Sequence, residues 1–163
     1  MDTSIKKMTK NKLSQFNLEE ARGWTIHCLL QVEYTIDEII ADYYEPKQKD
    51  KFKKIILNSS ILDFGSKCKI LCNIESVKSK TIDNIRKLAS IRNSFAHAEI
   101  IDNITIIFDK ENDRTSIDSI ISKIYVMKSS GKISSEDAYE YLCKFFDLYN
   151  VTKKDLIELK KEI

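Results

Sequence analysis

Along most of this chain the apolar residues recur at steps of three and four, the spacing of one face of an α-helix. Ala21, Trp24, Thr25, Cys28, Leu29, Val32, Ile36, Ile39 and Ile40 make one continuous stripe that runs to about Tyr43. Asn17 followed by Glu20 has the form of a capping box, in which a short polar side chain accepts from the amide three residues on. The pattern predicts a long first helix beginning after Asn17, with the sole proline, Pro46, punctuating its end. A second amphipathic segment covers residues 51 to 57. Asn58-Ser59-Ser60 then leads into Leu62, Phe64, Ile70, Leu71 and Ile74, one side of another helix with its start or a bend at Gly65-Ser66. Thr81 opens a third main helix with Ile82, Ile85, Leu88, Ala89, Phe95 and Ala96 facing inward.

At Glu99 the period shortens. Ile100-Ile101 and Ile104-Thr105-Ile106-Ile107-Phe108 are β-branched runs separated by Asp102-Asn103, and residues 121 to 127 supply a third. These predict a small hairpin or two-stranded ribbon within residues 100 to 128, with a polar and mobile connection over 109 to 118. Ser134 or Ser135 is expected to cap a helix through Tyr149, and Thr152 a last one, giving C-terminal helices over 134 to 163. Residues 1 to 16 are expected to be frayed.

Three Gly and one Pro in 163 residues disfavour a turn-rich β-sandwich, and the 42% hydrophobic content suits a single domain over 1–163. The fold class expected is mainly α, an antiparallel helical bundle with a small β-hairpin after the third main helix. The four cysteines, Cys28, Cys68, Cys72 and Cys143, have no second Cys or His pair at ligand spacing. They are read as reduced, mostly core thiols of a cytoplasmic protein, with no metal and no cofactor. No apolar run approaches membrane-spanning length, so no membrane partner is expected.

The net charge of +2 conceals an asymmetry. Residues 51 to 92 hold ten Lys or Arg against three acids, whereas residues 13 to 50 hold eight acids against three bases. The basic block suits an anionic partner such as RNA, with Lys67, Lys69, Arg86 and Lys87 as candidate contacts, although a lysine-rich face is also commonly just solvated.

That block leads into Ile91-Arg92-Asn93-Ser94-Phe95-Ala96-His97, which holds one of only two histidines. On a straight helix Arg92 and His97 point about 140° apart, so they do not converge unaided. The reach of the Arg side chain, unwinding after Ala96, or a two-fold dimer would bring them together, and the last two acting together are favoured. Asn93 lies four residues before His97 on the same face and can hydrogen-bond its ring. An imidazole can transfer protons at a 2'-hydroxyl and a departing 5'-oxygen, and a guanidinium matches phosphate oxygens. Those residue types suffice for RNA cleavage without metal. The competing structural reading pairs Arg92 with Glu99 or Glu75 and leaves His97 as an exposed helix-terminal residue. His27 falls on the solvated side of the first helix. The aromatics Tyr43-Tyr44, Tyr139, Tyr141, Phe145, Phe146 and Tyr149 are read as core or dimer contacts ahead of base-stacking groups.

The run from Leu62-Asp63-Phe64-Gly65-Ser66-Lys67 through Arg86-Lys87-Leu88-Ala89-Ser90 to Arg92-Asn93-Ser94-Phe95-Ala96-His97 resembles the HEPN superfamily, particularly its mannitol-operon repressor-like branch. With the first helix, the resemblance covers roughly residues 17 to 100. It implies a dimeric helical bundle with Arg92 and His97 at catalytic positions and Asn93 at the polar position between them. It further implies a metal-independent endoribonuclease of toxin-antitoxin or phage-defence type, held by an antitoxin or regulatory protein. The alternative it implies is a non-enzymatic regulatory or protein-interaction module on the same fold. One departure stands: Glu99 occupies the position, two after the His, where toxins paired with a nucleotidyltransferase commonly carry Tyr.

Overall fold

A computed structural model describes residues 16–97, 99–109, 114–127 and 130–163, with backbone alone for 104–109 and 114–119. The element order is α1 (Leu18–Tyr44), α2 (Lys49–Lys51) continued by a π-helical turn (Phe52–Ile56), α3 (Phe64–Leu71), α4 (Ser79–His97), β1 (Ile100–Asp109), β2 (Arg114–Met127), β3 (Ile133–Asp137) and α5 (Ala138–Glu162). The protein is mainly helical, with one small antiparallel sheet in the order β1-β2-β3. The expected frayed start lies outside the described residues up to residue 15.

Helix α1 begins where the capping pattern placed it: the Asn17 side chain accepts from the Glu20 amide at 3.0 Å. Its apolar stripe is buried from Ala21 through Val32 and Ile36 to Ala41. Three long helices share the core. Phe16, just before α1, stacks on Phe95 near the end of α4, and Phe95 meets Tyr141 near the start of α5. At the opposite end, Thr81 of α4 donates to Asp155 of α5, and Lys160 of α5 pairs with Glu38 in the second half of α1. Helix α4 therefore runs opposite in direction to both α1 and α5. Leu88, Ile85 and Phe95 of α4 and Phe145 and Leu156 of α5 are fully buried at this junction.

Two expectations for the C-terminal third are corrected. Ser134 and Ser135 lie in β3 instead of capping a helix, because Asp137 is the cap: its carboxylate accepts from the Glu140 amide at 2.9 Å. Thr152 does not start a new helix either. Its hydroxyl donates back to the Leu148 carbonyl at 2.7 Å, four residues earlier, and α5 continues unbroken.

The hairpin is present and larger than expected, since pairing extends to Asp109 opposite Arg114. Most of the segment read as a polar connection is strand, and only 110–113 lie outside the described residues. Thr105 pairs with Ser119 and Ile106 with Ile117, so Asp118 is the extra residue of a bulge. The third strand was hidden by its polar sequence, Ile133-Ser134-Ser135-Glu136-Asp137, which pairs with residues 123 to 127 of β2. The sheet is fastened to the helices by Ser122 of β2, which accepts from the Phe16 amide and donates to the Asp102 carboxylate at 2.6 Å.

Candidate active-site cleft

Helix α4 has two unlike faces. Thr81, Ile82, Ile85, Leu88 and Phe95 are buried, and they fix the rotation of the helix. Arg86, Ser90, Asn93 and His97, spaced by three and four, are left on the opposite side. There they form one wall of a cleft of about 760 Å³. Phe64, Gly65, Cys68 and Lys69 of α3 form a second wall, and Tyr125 and Met127 at the end of β2 a third.

The α3 wall is set by a cap that the sequence pattern did not single out. The Asp63 carboxylate accepts from the Ser66 amide and from the Ser66 hydroxyl, each at 2.9 Å. These bonds, the amide first, hold the Asp63 carboxyl below its ordinary value. A methyl group in place of hydrogen at Gly65 would stand 3.1 Å from that carboxylate, so glycine lets the helix begin close against its own cap.

The last turn of α4 is held from outside. Carbonyl groups at a helix C-terminus lack intrahelical partners, and Arg22 of α1 donates from Nε to the Phe95 carbonyl at 2.8 Å. Phe95 itself is buried between Phe16 and Tyr141. Arg22 thus steadies the turn that presents His97. Nothing local in the sequence marks this role, because the contact spans 73 residues.

The candidate residues separate into three groups. His97 and Asn93 are exposed and line the cleft together with Lys69 and Arg86. Arg86 also makes a long, exposed contact to Asp83 at 3.8 Å, while Lys69 has no carboxylate in ion-pair range among the described residues. Arg92 is half-buried on the inward side of α4 and does not line the cleft. The helix is regular through His97, so among the described residues no unwinding after Ala96 brings the two together, and the separation of about 140° stands. Among the described residues Arg92 makes no ion pair with Glu75 or Glu99. Lys87 is exposed on a neighbouring face of α4.

Lys67 is a correction. It is 1% exposed, and its ammonium donates to Glu33 at 2.7 Å and Asp37 at 2.9 Å, both on α1. It is a strut between α1 and α3 and is not available to a phosphate. One other member of the basic block serves the same end, for Lys53 pairs with Glu38, and Lys49, just before the block, pairs with Asp42. Two of the ten cations of the block, Lys53 and Lys67, are thereby met by acids of α1.

Of the cysteines, Cys28 and Cys68 are buried, and burial pushes each thiol up to about 11. Cys68 is therefore an uncharged part of the cleft wall at neutral pH and not a nucleophile. Cys72 and Cys143 are exposed, contrary to the expectation of mostly core thiols. Cys72 follows the last residue of α3, and Cys143 lies on α5 outside its buried positions. Among the described residues no cluster of three or more His, Cys, Asp or Glu could hold a metal ion, and no helix is long and apolar enough to cross a membrane. His27 is exposed on α1 with Trp24 edge-on to its ring, on the solvated side expected.

Compared with known protein families, curated proteins and solved structures, the chain matches none.

Proposed function

We propose that this protein is a HEPN-type endoribonuclease that cuts RNA without a metal, in a site completed by a second copy of the chain. The observation that carries this reading is the set of groups around His97. A histidine open to solvent shares one cleft with Asn93, Lys69 and Arg86, which are two cations and an amide within reach of the same ligand. His97 takes the proton from the 2'-hydroxyl and returns one to the departing 5'-oxygen, steps typically worth about 10²–10⁴-fold. Asn93, four residues earlier on the same face, orients the imidazole. Lys69 and Arg86 neutralise the flanking phosphates.

In this reading Arg92 is the electrostatic group on the scissile phosphate, and because it does not line the cleft of its own protomer it is assigned to the cleft of a partner copy. A toxin or phage-defence role, restrained by an antitoxin or regulatory partner, fits such an activity. The absence of Arg92 from the cleft of its own protomer is also the observation favouring the second reading, a non-enzymatic module like the mannitol-operon repressor branch.

Mixing two inactive variants separates the readings. Arg92→Ala and His97→Ala chains, each inactive alone, are expected to regain roughly a quarter of wild-type RNA cleavage when unfolded and refolded together, because half the random pairs rebuild one intact site of two. An inactive wild type favours the interaction module. An active wild type whose mixed variants stay inactive contradicts a site shared between copies.

A further inference from the structure

The sheet contributes to the cleft something that neither the Arg-His motif nor the basic block explains. Along the end of β2 the side chains alternate: Ser122, Ile124 and Val126 are buried, while Ile121, Lys123, Tyr125 and Met127 are exposed. Tyr125 is 46% exposed and Met127 69%, and both line the cleft. Opposite Tyr125 in the ladder stands Ser135, which offers an aromatic ring little apolar cover. An open ring at this place is therefore not accounted for by packing of the core.

Its surroundings suit one kind of ligand. Lys69 and Arg86 bring positive charge to the same cleft, and Asn93 brings both a donor and an acceptor. Lys123, two residues before Tyr125 on the same side of β2, continues the positive charge along the strand. A π-face, nearby cations and an amide are what an unpaired nucleotide uses: the base stacks, the phosphate is neutralised and the base edge is hydrogen-bonded. In a duplex both faces of each internal base are already covered by its neighbours. The volume, about 760 Å³, lies within the range of about 300–1,000 Å³ usual for ligand pockets.

We propose that Tyr125 is a specificity-determining residue of this cleft: its ring is the platform on which one unpaired base stacks while the adjoining phosphates lie on Lys69 and Arg86. The proposal rests on the RNA reading of the cleft and adds the residue that selects unpaired over paired substrate. Binding is best measured by fluorescence anisotropy on the full chain carrying His97→Ala, so that RNA is not consumed. The probes are a fluorescein-labelled single-stranded oligoribonucleotide and a blunt duplex of the same sequence.

In that background Tyr125→Ala is expected to weaken single-strand binding about tenfold. Tyr125→Phe is expected to preserve it, and duplex binding to change by less than about twofold in either variant. Tyr125→Leu, which keeps apolar bulk without a π-face, should behave like the alanine variant and replaces it should the latter fail to fold. Unchanged single-strand affinity in a folded Tyr125→Ala or Tyr125→Leu chain overturns the stacking role and leaves the RNA reading standing. No binding of either probe by folded His97→Ala chain overturns both.

Discussion

Helix α3 is flanked by two seams built from the same basic stretch of sequence. Against α1, Lys67 is buried and its charge is met by Glu33 and Asp37. Against α4, Lys69 is exposed at the wall of a cleft that also holds Arg86 and His97. Two residues along a helix turn the side chain by about 200°, enough to send one lysine into the fold and the other out of it. A run of basic residues thus supplies both a buried strut and an exposed cleft wall, and the partner helix decides between them. Glu33, Asp37 and Glu38, acids of α1 that looked like a separate acidic region, answer two cations of that run, Lys53 and Lys67.

The contrast predicts opposite consequences for the two lysines. Replacing Lys67 with Met leaves Glu33 and Asp37 facing each other without a cation and should destabilise the fold by about 3–5 kcal/mol, as expected when one partner of a buried charge cluster is lost. Urea unfolding followed by circular dichroism measures this. A loss below about 1 kcal/mol would place Lys67 with the surface lysines and erase the distinction.

Lys69→Ala and Arg86→Ala should each leave stability within about 0.5 kcal/mol and act on RNA instead. Each is expected to weaken RNA binding and to lower the slope of log affinity against log salt by about 1. An unchanged slope in both would remove the phosphates from that wall.

Much of the helical framework was legible in the sequence, the division between the two lysines was not, and the reasons are identifiable. Periodicity placed α1, α3 and α4 because their apolar residues sit on one face, and Asn17 marked the start of α1 because its cap is made within three residues. The motif placed His97 and Asn93 on one exposed face of α4 for the same local reason. Lys67 was misread because its partners are 34 and 30 residues away, and Arg22 was missed because its contact spans 73. Strand β3 escaped notice because serines cap helices as readily as they fill an edge strand, and the unbroken α5 because Thr152 suits a cap as well as a helix interior. Tyr125 was passed over because period-two alternation does not tell which side of a ribbon faces a cleft.

A smaller effect concerns pH. Burial, acting first, raises the Asp37 carboxyl above its ordinary value, while the hydrogen bond and charge of Lys67 oppose that. A raised carboxyl holds its proton more tightly in the folded state, so its stabilising contribution is present at low pH and lost as pH rises through the folded value. Glu38 has the opposite sign: the hydrogen bond from Lys53 lowers it, and its contribution is lost as pH falls through its folded value. Relative to Asp37→Asn, wild type should therefore gain stability as pH falls from neutrality into the carboxylate range, and relative to Glu38→Gln it should lose stability. Thermal melts of the three proteins across that range check both signs.

The cysteines give the mildest test of the same idea. At neutral pH a maleimide should label Cys72 and Cys143 of the folded protein and leave Cys28 and Cys68 unreacted until denaturant is added. Rapid labelling of Cys68 would mean that the α3 wall opens more readily than its packing suggests.

RNA cleavage by His97, in the cleft between α3, α4 and the end of β2, is the proposed activity. Wild type and His97→Ala are to be incubated with a mixed cellular RNA pool in excess chelator, and the fragment ends compared. Fragments are expected from wild type alone, ending in the 2',3'-cyclic phosphate or 3'-phosphate left by attack of the 2'-hydroxyl. Intact RNA from folded wild type, or equal cleavage by both proteins, would contradict it.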